Sequence, residues 1–234
     1  MVYVCSDLHG YSLDKFKTFL DKIGFCKDDF LYIIGDVIDK GKDGIKIIKW
    51  LMSMPNAQLI LGNHEQMMLA SSFVFDEITE ESIDNLTGSK LTAYSTWVAN
   101  SGQPTIDALA ATRQSEIKYI LVYLLEEVPL YETLTVNGRD FVLTHSGLGN
   151  FSTDKKLSDY TSDELLWNRP NIEQKYFDDI TVVFGHTPTV YYGDEHKGKM
   201  LFTDTWIDID VGAGLGLPPA ILRLDDMKIF YCEE

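Results

Sequence analysis

The chain contains 234 residues, of which 45% are hydrophobic and 24% are charged, an ordinary balance that allows one large globular domain over residues 1–234. Its formal net charge of −16 argues against binding nucleic acid or an anionic membrane through bulk electrostatics. An anionic substrate would therefore require metal ions or a few well-placed Arg and Lys side chains.

The cysteine content and the apolar runs indicate a compartment. The three cysteines have neither disulfide nor metal-ligand spacing, which is typical of free thiols in a reducing environment. No apolar run reaches membrane-spanning length, and no secretory leader precedes the first predicted strand. We therefore expect a cytoplasmic protein.

Residues 2–72 alternate short apolar runs with helical patterns. Val2–Ser6, Phe30–Ile34 and Gln58–Leu61 are typical of buried strands, and each is followed by Gly or by polar residues. A helical stripe follows each run, and the first begins after a predicted N-cap at Ser12. This βαβαβα order predicts a parallel sheet.

The polar residues cluster immediately after these three strands. Asp7 and His9 follow the first, Asp36 follows the second, and Asn63 and His64 follow the third. Because the carboxyl ends of parallel strands meet at one edge of a sheet, we expect these side chains to lie together. A carboxylate such as Asp36 can bridge two metals about 3.5–4 Å apart. The sequence therefore predicts a metal site at this edge.

The rest of the chain contributes a different set of elements. Residues 73–128 carry helical patterns, and we interpret this block as a helical insertion beside the site. From Pro129 the apolar period changes to two, and Asn137-Gly138 between two such runs predicts a β-hairpin. Further predicted strands follow, including Ile180–Phe184 and Trp206–Val211.

Two of these later strands each end at a histidine. His145 follows the second strand of the hairpin, and His186 follows Ile180–Phe184. Taken alone, His145 could be a satisfied core histidine and Asn63 could be a turn former. Four of the five histidines follow predicted strands in the same way, however, so the joint pattern favours ligands. Nitrogen and oxygen ligands without thiolate suit Mn, Fe or Zn.

Five short motifs follow one another along the chain: DLHG at 7–10, GDVIDKG at 35–41, GNHE at 62–65, THSG at 144–147 and GHTP at 185–188. They occur in the order found in the calcineurin-like metallophosphoesterases. The chain resembles the phosphoprotein phosphatase branch of that family, and most of all the bacterial and lambda-phage serine/threonine phosphatases. The resemblance implies an α/β (α+β) fold, a central β-sandwich of two mixed sheets flanked by helices.

The resemblance also implies roles for individual residues and two divalent metal ions, with Mn²⁺ expected and Fe or Zn as alternatives. His64 would protonate the leaving group and be oriented by Asp39, while a metal-bound hydroxide attacks phosphorus. Asn63, Arg169 and Lys40 would hold the phosphate. The implied metal ligands are Asp7, His9 and Asp36 for one ion, and Asp36, Asn63, His145 and His186 for the other.

The chain departs from the family pattern at two positions. Lys40 stands where the family usually has Arg, and Lys is a point charge rather than a bidentate clamp. Asp210-Val211-Gly212 replaces the usual Asp-Thr-Gly, which removes a hydroxyl group.

Three functions are compatible with these residues. The resemblance favours a phosphomonoesterase of the serine/threonine protein phosphatase type, acting on a phosphorylated protein or a small phosphoester. The segments GNHEQMM at 62–68 and LLWNRP at 165–170 favour this hypothesis. The alternative is a dinucleoside polyphosphate hydrolase, with diadenosine tetraphosphate as substrate. A catalytically inactive phosphate-binding module ranks lowest, because Asp36, His64 and His145 are all present.

Overall fold

The protein is built from two packed mixed sheets. The computed structural model describes residues 1–77 and 79–232, and within them it contains two five-stranded sheets. The strands are β1 (Val2–Ser6), β2 (Phe30–Ile34), β3 (Ala57–Ile60), β4 (Tyr131–Val136), β5 (Arg139–Thr144), β6 (Ile180–Phe184), β7 (Leu201–Phe202), β8 (Trp206–Asp208), β9 (Ala220–Arg223) and β10 (Lys228–Tyr231). The helices are α1 (Leu13–Lys22), α2 (Gly44–Met52), α3 (Asn63–Ala70), α4 (Glu80–Asp84), α5 (Gly88–Ala99), α6 (Gln103–Ala110), α7 (Gln114–Glu126) and α8 (Ser162–Leu166).

The first sheet has the strand order β10-β9-β1-β2-β3. Strands β1, β2 and β3 are parallel, so the parallel arrangement predicted for the first part of the chain is confirmed. The helix after β1 begins as predicted, since the side chain of Ser12 accepts the amide N–H of Lys15. Strands β9 and β10 complete the sheet on its other side in antiparallel orientation.

The second sheet has the order β4-β5-β6-β8-β7. The predicted hairpin is present, with Val136 paired to Arg139 around Asn137 and Gly138, whose φ angles of 50° and 77° suit a two-residue turn. We predicted that the strand beginning at Trp206 runs to Val211, but β8 ends at Asp208. There the Asp208 carboxylate accepts the N–H of Asp210, and this local bond turns the chain out of the sheet.

The hydrophobic core lies in layers between and outside the sheets. Buried side chains of both sheets, such as Ile34 and Val183, pack together in the central layer. Helices cover the outer face of the first sheet, where Phe16 of α1 and Ile120 of α7 are buried. The predicted sandwich of two mixed sheets flanked by helices is therefore confirmed. No helix within residues 1–77 and 79–232 is long and apolar enough to cross a membrane.

Candidate metal centre

The loops that follow five of the strands meet at one edge of the sandwich. Backbone hydrogen bonds connect them: the N–H of His9 donates to the backbone carbonyl of Asp36 at 2.8 Å, and the N–H of Gly185 donates to the backbone carbonyl of His145 at 2.9 Å. The loops enclose a pocket of about 260 Å³, here called the metal pocket. Of the residues predicted for the site, those that line it are His9, Asp36, Lys40, Asn63, His64, Arg169 and His186.

The remaining predicted residues lie just beneath this pocket. Asp7, Asp39 and His145 are buried, and each contacts a lining residue. The carboxylate of Asp7 accepts a hydrogen bond from the backbone N–H of His186 at 3.0 Å, and the carboxylate of Asp39 contacts the imidazole of His64. The structure thus brings all the predicted site residues into one cluster.

The backbone at this edge is strained. Of the ten non-glycine residues with positive φ within the described ranges, six are predicted site residues. Residues other than Gly rarely adopt positive φ angles. Clusters of such residues mark sites where the fold holds functional groups in fixed positions. The six are Asp7, His9, Asp36, Asp39, Lys40 and His186.

Asp36 lies between two sets of histidines. Its Oδ2 atom is 3.7 Å from Nε2 of His9 and 3.8 Å from Nε2 of His64. Its Oδ1 atom is 3.4 Å from Nε2 of His145. One carboxylate oxygen therefore faces each set, which is the arrangement that a bridging ligand requires.

Two of these histidines are held with Nε2 turned into the site. Nδ1 of His9 lies 3.1 Å from the carbonyl of Ile38, and Nδ1 of His145 lies 3.1 Å from the carbonyl of Ile34. A carbonyl only accepts hydrogen bonds, so each Nδ1 carries the proton and each Nε2 can serve as a ligand. Burial lowers the pKa of His9 to about 3, which keeps its ring neutral as a metal ligand must be.

The other half of the site is formed around Asn63. Its Oδ1 atom is 2.8 Å from Nε2 of His145 and 3.0 Å from Nδ1 of His186. Burial opposes protonation of His145, but the negative charge of Asp36 raises its pKa to about 10. A cation bound here would take over the role of that proton beside Asp36.

Orphaned buried atoms indicate that cations belong in the site. Oδ1 of Asp7 and Nε2 of His186 have no hydrogen-bond partner within the described part of the chain. Burial raises the pKa of the Asp7 carboxyl, and a nearby cation would stabilise its ionised form. Unpartnered buried polar atoms are costly in a native fold, so these side chains fit metal ligation.

Geometry groups the candidate ligands in a way that differs in one member from the predicted sets. One group contains Asp36, His145 and His186, three of the four ligands implied for the second ion; the fourth, Asn63, contacts both histidines. The other contains His9, Asp36 and His64, whereas the resemblance implies Asp7 in place of His64. Within each group the ligand atoms lie within 4.8 Å of one another. The nitrogen and oxygen donors of both groups suit divalent cations.

His64 is paired with a buried carboxylate. Its Nδ1 atom lies 2.5 Å from Oδ2 of Asp39, and its Nε2 atom faces the pocket near Asp36. Burial opposes the charged form, but the negative charge of Asp36 and the hydrogen bond that His64 donates to Asp39 raise the pKa of His64. The pair therefore favours an imidazolium that can donate a proton from Nε2.

Two basic side chains reach the mouth of the pocket. The Nζ atom of Lys40 is 3.0 Å from Nε2 of His9. The guanidinium of Arg169 donates to the side chain of Thr187 at 3.0 Å, which fixes its position beside His186. Both positive charges are available to a bound phosphate.

Glu65 has a structural role that the sequence analysis missed. Its buried carboxylate accepts the N–H groups of Asp36 at 2.8 Å, Val37 at 2.9 Å and Gly62 at 3.1 Å. It thus ties the end of β2 to the end of β3. The sequence feature that could have indicated this role is the position of Glu65 in the GNHE motif, directly after His64.

A family profile described as calcineurin-like phosphoesterase matches residues 1–209. The chain belongs to the calcineurin-like phosphoesterase family. This confirms the family that the motifs predicted, and the candidate ligand groups suit divalent cations.

Curated relatives of this calcineurin-like phosphoesterase are named as tetraphosphatases. The symmetrical bis(5'-nucleosyl)-tetraphosphatase of Buchnera aphidicola subsp. Acyrthosiphon pisum (strain 5A) is 39% identical over 70 residues, covering 29% of this chain and 25% of the relative. The asymmetrical bis(5'-nucleosyl)-tetraphosphatase PrpE of Oceanobacillus iheyensis is 24% identical over 211 residues, covering 80% of this chain and 77% of the relative. The match thus spans about a quarter of the first relative's length.

Solved structures show the same fold. A provisionally assigned diadenosine tetraphosphatase has a TM-score of 0.65 at 18% identity, covering 98% of this chain and 91% of that one. A protein serine/threonine phosphatase from Saccharomyces cerevisiae has a TM-score of 0.57 at 14% identity, covering 100% of this chain and 79% of that one. Both classes of enzyme use this fold, so the fold alone does not identify the substrate.

Replacing Asp36 tests its proposed position between two ions. We expect Asp36→Asn to lower the metal content per chain and to reduce phosphoesterase activity more than about 100-fold, since a directly bound ligand should matter more than its outer-shell partners. Metal analysis by mass spectrometry, with circular dichroism to check folding, measures this. The exposed residue Asp178 provides the control Asp178→Asn. Two ions retained with full activity would contradict the bridging role.

Replacing His64 separates the proton donor from the metal ligands. We expect His64→Asn to retain both ions and to reduce kcat by about 10²–10⁴, with the larger loss for more basic leaving groups. The measurement is kcat across phosphoesters graded by leaving-group pKa, with metal content determined in parallel. Loss of one ion would instead assign His64 to the ligand group that contains His9 and Asp36.

Proposed function

We propose that the protein hydrolyses dinucleoside polyphosphates such as diadenosine tetraphosphate. This was the alternative hypothesis from the sequence, and the names of the curated relatives favour it over the protein phosphatase hypothesis. The structural observation that carries the proposal is a second cavity, of about 530 Å³, beside the metal pocket.

This second cavity, here called the side groove, adjoins the metal pocket. Arg169 and Tyr191 line both. The other side chains along the groove are mainly apolar or aromatic, including Ile172 and Tyr192. Tyr191 is 67% exposed, so its ring is available for stacking against a planar base. A dinucleoside polyphosphate could place its phosphates in the metal pocket and one base in the side groove.

The charges of the two cavities suit such a substrate. The protein as a whole is strongly acidic, with a formal net charge of −16. Lys40 and Arg169 nevertheless line the metal pocket, and Arg169 continues into the groove. These side chains would hold phosphate oxygens that the bulk charge of the protein repels.

The residues of the metal pocket have distinct proposed roles in the hydrolysis. Asp7, His9, Asp36, Asn63, His145 and His186 would hold two divalent cations. Such cations, when bound, lower the pKa of a water molecule and neutralise phosphate charge. Arg169 and Lys40 would orient the phosphate. A water molecule loses a proton to the solvent as its oxygen forms a bond to phosphorus, and the bond to the leaving oxygen breaks. Nε2 of His64 gives its proton to that oxygen and is then reprotonated from the solvent.

The His64–Asp39 pair favours a second candidate, a serine/threonine protein phosphatase. The oxygen that leaves a polyphosphate belongs to another phosphate, whose last pKa is about 6, so it departs readily without a proton. The alkoxide of serine or threonine is a much stronger base and gains far more from a general acid. The buried 2.5 Å contact between Nδ1 of His64 and Asp39 would suit that demand.

A substrate panel distinguishes the two candidates. Purified protein with Mn²⁺ should give a higher kcat/KM with diadenosine tetraphosphate than with a phosphoserine peptide or a phosphodiester. The products, two ADP or ATP with AMP, define the position of cleavage. Preference for the phosphopeptide would support the protein phosphatase. Activity no greater than that of Asp36→Asn on every substrate would indicate a binding module.

Replacing Tyr191 tests whether the side groove binds a base. Stacking of a base on an aromatic side chain contributes about 1–3 kcal/mol, so Tyr191→Ala should raise KM for diadenosine tetraphosphate about 5- to 150-fold. KM for p-nitrophenyl phosphate should stay unchanged, because that substrate is too small to reach the groove from the metals. Tyr119→Ala, at an equally exposed tyrosine on α7, is the control. Equal effects on both substrates would contradict base binding.

A further inference from the structure

A tryptophan of the helical insertion contacts the acid pair. Trp97 lies on α5 and is completely buried. Its indole N–H donates to both carboxylate oxygens of Asp39, at 2.9 Å to Oδ2 and 3.2 Å to Oδ1. Oδ2 of Asp39 is also the atom that contacts Nδ1 of His64. The three side chains thus form a chain from the insertion to the metal pocket.

The same segment holds the backbone of Asp39 and Lys40. The side-chain oxygen of Thr105 accepts the N–H of Asp39 at 2.9 Å, and the carbonyl of Ser101 accepts the N–H of Lys40 at 3.1 Å. Asp39 and Lys40 have φ angles of 67° and 58°, a backbone conformation that costs free energy in residues other than Gly. The contacts from residues 97–105 help to stabilise this strained turn.

The indole itself has little freedom to move. A Cβ atom at Gly102 would lie 2.7 Å from both Cδ1 and Nε1 of Trp97, so Gly102 leaves the space that the ring occupies. The ring of Phe75 also packs against the indole in a T-shaped arrangement, with 6.3 Å between ring centroids. The direction of the N–H donor is therefore fixed by packing.

A buried carboxylate needs donors of this kind. Asp39 is completely buried, and an ionised carboxylate in such a place is costly unless hydrogen bonds surround it. A donor of fixed direction also determines which way the carboxylate plane faces, as the partners of catalytic and metal-binding histidines commonly do.

We propose that Trp97 is a positioning residue, whose indole N–H orients Asp39 so that its carboxylate holds the ring of His64 towards the leaving group. The helical insertion then completes the proton donor, and its docking is required for hydrolysis of substrates with basic leaving groups. The inference rests on the proposed role of His64 as proton donor and is independent of which phosphoester is the natural substrate.

Trp97→Phe removes the donor while keeping an aromatic ring in the core. We expect kcat for an alkyl phosphate such as phosphoserine to fall about tenfold, the effect of losing one hydrogen bond to a charged group. KM, kcat for p-nitrophenyl phosphate and the metal content should change little. Trp206→Phe is the matched control, because Trp206 is equally buried but its N–H donates at 2.8 Å to the backbone carbonyl of Gln174.

A double-variant comparison separates failure of this inference from failure of the proposed proton donor. If Trp97 acts through His64, Trp97→Phe should have no further leaving-group effect in the His64→Asn protein. If His64→Asn shows a leaving-group effect and Trp97→Phe does not, the inference is wrong. If His64→Asn shows no leaving-group effect, the proposed role of His64 as proton donor is wrong. If Trp97 has only a structural role, Trp97→Phe should lower the rates for all substrates equally.

A second position and a second measurement protect the test against a folding defect. Thr105→Val removes the acceptor for the N–H of Asp39, and Thr105→Ser restores it. We expect the leaving-group effect in the valine variant and its absence in the serine variant.

NMR of ¹⁵N-labelled, metal-free protein provides the second measurement. The indole N–H signal of Trp97 is assigned as the one that is missing from the spectrum of Trp97→Phe. That signal should shift in Asp39→Asn, because the acceptor of its hydrogen bond changes. An unshifted signal, or equal behaviour of the two Thr105 variants, would overturn the proposal.

Discussion

The site depends on the position of the Asp36 carboxylate at the end of β2. One of its oxygens faces His9 and His64, and the other faces His145. Its φ angle of 53° is unfavourable for a residue with a side chain, so the surrounding bonds must stabilise it. Glu65 accepts the N–H of Asp36, while Oδ1 of Asp36 accepts the N–H of His64 at 3.0 Å. The ends of β2 and β3 are thereby joined, and the histidines gather around the carboxylate.

This arrangement explains how an acidic protein could process a highly charged phosphoester. The pocket combines buried carboxylates with histidines, and two of the histidines, His9 and His186, have pKa values lowered by burial to about 3 and about 2. Neutral histidines and buried carboxylates form a site for cations rather than for phosphate itself. Lys40 and Arg169 then supply positive charge at the mouth, where the substrate would enter.

The sequence analysis predicted the parts of the structure that depend on local pattern. The strands at 30–34 and 180–184 and the hairpin at Asn137-Gly138 follow from apolar periodicity and turn chemistry. The gathering of Asp36, Asn63 and His145 follows from strand ends meeting at one edge. That edge also concentrates the short motifs, so the family could be predicted from them.

Other features depend on contacts between distant residues and left no local signal. The pairing of β9 with β1 joins residues at opposite ends of the chain, and β8 is short because Asp208 bonds to a backbone group two residues ahead. The bond from Trp97 to Asp39 spans 58 positions, and in the sequence Trp97 is only one apolar residue in a helical pattern. The preference for a protein phosphatase rested on the segments GNHEQMM at 62–68 and LLWNRP at 165–170, whereas the curated relatives are named as tetraphosphatases.

Crystallography with Mn²⁺ would show directly whether Asp36 lies between two metal ions. Diffraction data collected above and below the Mn absorption edge locate the ions independently of any assumed ligands. We predict two anomalous peaks, roughly 3.5–4 Å apart, with one oxygen of Asp36 directed at each. A single peak, or two peaks that do not share Asp36, would contradict it.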